Sequence, residues 1–332
     1  VLSLTDIENA HKRIKPFIHN TPILSSQKLN EYLGHNIYFK AECLQKVGAF
    51  KARGGANTLL WLKEQGHDIK RVVANSSGNH AQAVAWAASQ LGIPATIYMP
   101  TNVSKVKAQA TAAYGAEVVY CENRQEADRK VAEAQEQPGV FWIPPFNHEQ
   151  VVCGQGTAAY EAILELRAQG IDTIDAAFAP CGGGGAISGT HIATKGLCPE
   201  AKVIAAEPLA GNDAAQSLRC GEIVTLDQQP NTLADGAMTL AVGEITFDYL
   251  KKLDGMIEVD EPEIAYWTQW LSHLLKLHVE PTSAMTMEAV KRYLSDKTEK
   301  QNVLVILTGG NVDNGKMKAI WEEDYLSQVP SL

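Results

Sequence analysis

Short apolar runs recur along the chain, each ending in a glycine-punctuated stretch and followed by an alanine-rich segment of helical period. The runs are Arg71 to Asn75, Ala95 to Met99, Ala116 to Cys121, Asp175 to Pro180, Lys202 to Ala206 and Val303 to Leu307. Their length and β-branched content predict buried strands, and the segments between them predict helices. Strand and helix in alternation give right-handed βαβ units, hence an α/β fold of open, mostly parallel sheets covered by helices on both faces. Two helices are bounded locally: Ala81 to Leu91 stops at Gly92 before Ile93-Pro94, and Ser104 to Tyr114 stops at Gly115, as helices with C-terminal glycines do. No repeat, low-complexity stretch or Pro/Ser-rich linker divides the chain, so a second domain must be interwoven with the first. The expected division is a small domain over 71–147, inserted between the two parts, 1–70 and 148–332, of a larger one.

Composition narrows the function classes. With 332 residues, 45% hydrophobic and 20% charged, the chain is long enough for two ordinary domains with real cores. No apolar run approaches the roughly 20 residues needed to span a bilayer, and the N-terminus, Val1 to Asp6, shows no export or transit pattern. Cys43, Cys121, Cys153, Cys181, Cys198 and Cys220 are scattered without metal spacing, the pattern of reduced thiols in a cytoplasmic protein. A net charge of -9 without a basic cluster argues against nucleic acid. A small molecule is the expected partner.

Four segments carry candidate chemistry. Gly48 to Asn57 delivers Lys51 to the start of a helical pattern along an apolar approach. Burial and a helix N-terminus both disfavour the ammonium form, and so favour an amine able to form a Schiff base. Taken alone, a solvated helix lysine explains it as well. Asn75 to Gln82 places Ser76, Ser77, Asn79 and His80 where a strand gives way to a helix. That is a site for a carboxylate, or simply a pair of capping serines beside a structural histidine. Pro180 to Gly189 holds the tetraglycine Gly182-Gly183-Gly184-Gly185 followed by Ala186, a backbone nest fit for a phosphate or a tight turn. It lacks the Gly-Lys-Ser/Thr of a nucleotide loop and the third glycine of a dinucleotide fingerprint. Leu307 to Val312 ends the last strand with Thr308-Gly309-Gly310. A neutral hydroxyl there, facing a pyridine nitrogen, would restrain the electron sink and favour β-elimination over transamination.

These motifs, in this order and over nearly the whole chain, resemble the serine/threonine dehydratase and serine racemase family of pyridoxal-phosphate enzymes. The resemblance implies the two-domain tryptophan-synthase-β-like fold (fold type II), the small domain closing over the substrate. It implies Lys51 as Schiff-base lysine, with Phe50 and Asn79 against the cofactor, Asn79 at its ring hydroxyl. Gly182, Gly183, Gly184, Gly185 and Ala186 would bind its phosphate, with Thr308 at its pyridine nitrogen. Ser76, Ser77, Asn79 and His80 would hold the substrate carboxylate, and Ser77 matches the position that exchanges a proton opposite the lysine in the racemases. Glu207, Gly211 and Asp213 match the family's divalent-cation site, with oxygen ligands suited to Mg²⁺, Ca²⁺ or Mn²⁺. Asn147-His148 departs from the family's usual residues, and a basic His148 there would answer a side-chain carboxylate such as that of 3-hydroxyaspartate. A homodimer is expected, and the C-terminal regulatory domain of biosynthetic threonine dehydratases is expected to be absent.

The expected function is therefore an ammonia-lyase acting on L-threonine and L-serine to give 2-oxobutyrate or pyruvate and ammonia. The alternatives are serine racemase with side elimination, 3-hydroxyaspartate ammonia-lyase and, outside enzymes, a phosphometabolite sensor on the same fold class.

Overall fold

The computed structural model describes residues 1–332 except Ser77 and Ser104. Among the described residues ten strands form two sheets. In chain order they are β1 (Ile23–Leu24), β2 (Asn36–Ala41), β3 (Arg71–Asn75), β4 (Ala95–Pro100), β5 (Glu117–Cys121), β6 (Val140–Trp142), β7 (Ala176–Pro180), β8 (Lys202–Pro208), β9 (Gly255–Val259) and β10 (Asn302–Leu307). The larger sheet runs β1-β2-β10-β7-β8-β9 and the smaller β5-β4-β3-β6. Every pairing is parallel except the short β1–β2 pair at one edge. The fold is thus the mixed α/β architecture of mostly parallel sheets that the alternating pattern predicts.

The strands of the larger sheet read as continuous apolar runs because both faces are covered. Along β10, Leu304 and Ile306 join one core cluster while Val303, Val305 and Leu307 join another. The first cluster is filled from the helices Glu149–Ala168 and Gly185–Leu197, the second from Glu261–Leu275 and Thr286–Leu294. A third cluster unites the smaller sheet with the helices Lys51–Glu64 and Asn79–Gln90. Ala52, Ala56, Leu59 and Leu62 supply its stripe at helical spacing.

The helix expected over Ser104 to Tyr114 is found as Lys105–Ala113, followed by Gly115 at φ 94°; Ser104 lies outside the described residues. Four strands, β1, β2, β6 and β9, have no counterpart among the predicted runs. The six cysteines are unpaired. Among the described residues no helix is long and apolar enough to cross a membrane.

Candidate active site

Because β2, β10 and β7 are neighbours, the segments that leave their C-terminal ends converge, where open α/β sheets hold ligands. Lys51 opens its helix after β2, Thr308 follows β10, and the tetraglycine follows β7. Two backbone ties close the assembly. Phe50 N donates to the Thr308 carbonyl at 2.8 Å, and Ala49 bridges Gly309.

Lys51 Nζ donates to the carbonyl of Pro145 at 2.7 Å, 5.2 Å from the centre of the Phe50 ring. Burial lowers its pKa to about 8, against an opposing pull from Glu280. Near neutral pH this amine therefore deprotonates far more readily than a surface lysine. Phe146, next to Pro145, lies against the tetraglycine: a Cβ on Gly183 would overlap its ring. Gly184 has φ 97° and precedes the helix Gly185–Leu197, whose first-turn N–H groups have no intrahelical acceptor. Thr246 Oγ1 donates to the Gly183 carbonyl at 2.6 Å, fixing the loop from behind. Bare backbone N–H groups at a helix start, in a cradle a side chain would fill, suit a phosphate. Together with the desolvated amine, they fit pyridoxal phosphate.

Asn79 opens the helix Asn79–Gln90 after β3. Its Nδ2 donates to Glu280 Oε2 at 3.2 Å and its Oδ1 accepts from Asn311 Nδ2 at 2.8 Å, so its amide orientation is fixed. Asn311 N donates to the same Glu280 oxygen at 3.3 Å. Glu280 is buried, and desolvation, with Asp235 adding, pushes its pKa up to about 7 against those two donors. His80 Nε2 donates to the Ile143 carbonyl at 2.7 Å, and burial, reinforced by Lys51, holds its pKa down at about 3. It is a neutral donor and not an acid. Ser76 Oγ accepts from Gly78 N at 3.2 Å; Ser77 lies outside the described residues. Thr308 Oγ1 is 2.9 Å from Ser283 Oγ, which accepts from Gly309 N at 3.1 Å. If Ser283 donates in this pair, the Thr308 hydroxyl proton is free for a ligand. Lys107 Nζ pairs with Asp235 at 3.3 Å, joining the helix between β4 and β5 to a turn that follows β8.

The other expected residues lie elsewhere. Glu207 ends β8, and its two oxygens accept from Ala214 N at 2.8 Å and Ala215 N at 2.9 Å, at the start of the helix Asp213–Cys220. Burial pushes Glu207 up to about 8 and Asp213 up to about 7, and Asp213 Oδ2 is buried without a partner. Gly211 closes the intervening turn. No group of three or more His, Cys, Asp or Glu that could hold a metal ion occurs among the described residues, so this set offers two carboxylates and a carbonyl. The orphaned Asp213 oxygen is the feature of this set that suits a divalent cation. His148 does not serve the cleft: it caps the helix Glu149–Ala168, its Nδ1 accepting from Gln150 N at 3.1 Å, and burial lowers its pKa. Asn147 Oδ1 accepts from Ile245 N at 2.9 Å. Each side chain gives one acceptor to the backbone, so His148 caps a helix, and burial disfavours the cationic form that the expected recognition of a carboxylate would use.

The sequence reading missed Glu280, Ser283 and Pro145, and gave Asn311, within the segment Leu307 to Val312, no role of its own. Glu280 left one trace, an isolated acid between Val279 and Pro281 in an otherwise apolar and small-residue run.

Comparison with known proteins places the chain among relatives. Residues 14–309 match the family model described as pyridoxal-phosphate dependent enzyme. The chain is 41% identical over 313 residues to the L-threo-3-hydroxyaspartate ammonia-lyase of Saccharomyces cerevisiae, covering 93% of each. It is 42% identical over 323 residues to the serine racemase of Dictyostelium discoideum, covering 96% of this chain and 98% of that protein. Among solved structures, a threonine deaminase from T.th. superposes with a TM-score of 0.88 at 39% identity, over 94% of this chain and 99% of that one.

Proposed function

The chain belongs to the pyridoxal-phosphate-dependent enzymes of fold type II, and on that footing we propose that it is an ammonia-lyase for small 2-amino-3-hydroxy acids, L-threonine and L-serine foremost. The observation that carries this reading is the Lys51 amine, desolvated to a pKa of about 8 and aimed by the Pro145 carbonyl beside a bare glycine cradle. The family places the chain among enzymes, and the sensor reading falls away.

Pyridoxal phosphate, when bound, supplies an aldehyde for the substrate amine and a sink for the electrons of the broken Cα–H bond. The N–H groups of Gly182 to Ala186 would hold its phosphate, Asn79 and Phe50 would lie against it, and Thr308 would offer its pyridine nitrogen a neutral hydroxyl. Ser76, Ser77, Asn79 and His80 receive the substrate carboxylate at a helix N-terminus, where free amides and the dipole favour an anion. The segment 71–147 closes over it and excludes water. Lys51 Nζ takes the α-proton. The β-hydroxyl takes up a proton, balancing the one removed from Cα, and leaves as water; hydrolysis of the released unsaturated amine gives the 2-keto acid and ammonia. Glu207, Asp213 and the Gly211 carbonyl would hold a divalent cation beyond the end of β8, away from the reacting atoms.

Racemisation of serine is the second reading, supported by relatives named as serine racemases. It assigns Ser77 the proton exchange on the face opposite Lys51. The yeast relative's name likewise supports 3-hydroxyaspartate as a substrate to be assayed.

The test is an absorbance spectrum of the purified protein with pyridoxal phosphate, followed by each of the three amino acids while keto acid, ammonia and the D-isomer are measured. Lys51→Ala is expected to abolish all turnover; retained turnover overturns the assignment. Absence of D-serine from the wild type excludes the second reading; Ser77→Ala is expected to erase D-serine while sparing part of the elimination, and D-serine formed by that variant excludes Ser77 as the group that exchanges the proton.

A further inference from the structure

Arg53 lies two residues beyond Lys51 in the same helical turn and has no exposed surface. All five of its N–H groups are used. Nε donates to Glu42 Oε1, and Nη2 to Glu42 Oε2 at 3.0 Å and Glu161 Oε1 at 3.0 Å. Nη1 donates to Glu161 Oε2 at 2.7 Å and to Thr157 Oγ1 at 3.1 Å. The acceptors are themselves gripped. Lys40 Nζ donates to Glu161 Oε1 at 3.0 Å and to the Thr21 carbonyl at 2.7 Å, and the Thr21 hydroxyl donates to Glu42 Oε2 at 2.5 Å. His11 Nδ1 stands 3.5 Å from Glu161 Oε2. Two buried carboxylates therefore balance two buried cations, drawn from β2, the turn after it, the Lys51–Glu64 helix and the Glu149–Ala168 helix.

Such a cluster is a poor route to stability, because packed apolar side chains of similar volume serve equally well or better. What it provides is geometry: a planar fork filled on both sides fixes translation and rotation together. The same turn is clamped twice more. Gly54 N donates to Gln155 Oε1 at 3.0 Å, and a Cβ on Gly154 would meet the Arg53 carbonyl and Gly54 Cα at 2.6 Å. The helix start itself has no capping side chain; on the Lys51 side the ties are Phe50 N to the Thr308 carbonyl and Lys51 Nζ to the Pro145 carbonyl.

We infer that Arg53, held by Glu42, Glu161 and Thr157, is a positioning residue that sets the depth of the Lys51 amine in the cleft. The inference rests on Lys51 being the amine that reacts with the cofactor. The charged and titratable groups facing that amine are Glu280 and His80, and those facing Arg53 are Glu42, Glu161, Lys40 and His11. None of them is altered in the variants below. A first turn that loses its grip admits water to the amine, whose pKa then climbs from about 8 toward the 10.5 of an ordinary lysine.

The experiment titrates wild type, Arg53→Lys and Thr157→Val with pyridoxal phosphate across pH, reading Schiff-base absorbance, and records thermal unfolding and steady-state kinetics alongside. A positioning role raises the pH midpoint by about half a unit or more in Arg53→Lys, which at pH 8 lowers the free amine roughly twofold. Thr157→Val, losing one of the five bonds of Arg53 and its own bond to the Gly154 carbonyl, moves the midpoint the same way by less, and kcat falls with KM nearly unchanged. A midpoint that stays at the wild-type value while thermal stability drops overturns the inference. Should Arg53→Lys fail to fold, Thr157→Val decides alone. A Schiff base formed by Lys51→Ala, or none in the wild type, overturns the reading of Lys51 on which the inference stands, and is thereby told apart from its own failure.

Discussion

Glu280 carries the most quantitative prediction. Its carboxyl has a pKa of about 7 in the folded chain against an ordinary value of 4.5, because burial and Asp235 oppose ionisation more than Asn79 and Asn311 favour it. At about 1.4 kcal/mol per pH unit, the interval corresponds to roughly 3 kcal/mol. The folded-state value is the higher one, so the folded chain binds the proton more tightly than the unfolded chain. Below 4.5 the carboxyl is neutral in both states and the penalty is absent; it grows as pH rises through about 7 and is complete above that. Glu280→Gln removes the charge and keeps an oxygen able to accept from Asn79 Nδ2 and Asn311 N, which share Glu280 Oε2 in the native site. The variant is therefore expected to be more stable than wild type by about 3 kcal/mol near roughly pH 8.5 and nearly equal to it near about pH 4.5. Urea unfolding of the whole chain at both pH values, followed by tryptophan fluorescence, reads the difference. An equal difference between the two proteins at both pH values would falsify the assignment of this penalty to Glu280. Activity should move the other way, since loss of the anion weakens the hold on Asn79.

Two further outcomes are expected. Gly183→Ala drives a methyl group into the Phe146 ring, so Phe146 must move or the cradle must open; stability should fall by about 1–3 kcal/mol and affinity for pyridoxal phosphate by about tenfold or more, measured by equilibrium titration, whereas wild-type affinity would refute the cradle. Millimolar Mg²⁺ should raise the thermal midpoint more at about pH 9 than at about pH 6, because Glu207 and Asp213, at about 8 and about 7, must first ionise; a shift independent of pH, or unchanged in Asp213→Asn, counts against a cation there.

What was legible in the sequence is what depends on local pattern. The run Arg71 to Asn75 is β3 residue for residue, since a strand buried on both faces is one uninterrupted apolar segment between helices. The order of Lys51, the serine-rich turn, the tetraglycine and Thr308 was enough to name the family, because each stands at a strand end. The strand β2 escaped notice because Lys40 interrupts its apolar character, and a buried lysine is intelligible only once Glu161, distant in sequence, is beside it. Glu280 was missed for the same reason: its partners, Asn79 and Asn311, belong to two other elements. His148 was misread because a residue that caps a helix and one that faces a ligand can carry the same side chain, and only the hydrogen bond from Gln150 N separates them.

The contiguous stretch that builds the smaller sheet leaves through the Lys51–Glu64 helix and returns through the Glu149–Ala168 helix, and these two helices touch at Gly54 and Gly154. Exit and entry are thus one joint. Lys51 and the tetraglycine lie outside the stretch, while Asn79, His80 and the Pro145 carbonyl that accepts from Lys51 Nζ lie within it. A change at that joint would therefore shift Asn79, His80 and the Pro145 carbonyl together against Lys51 and the tetraglycine.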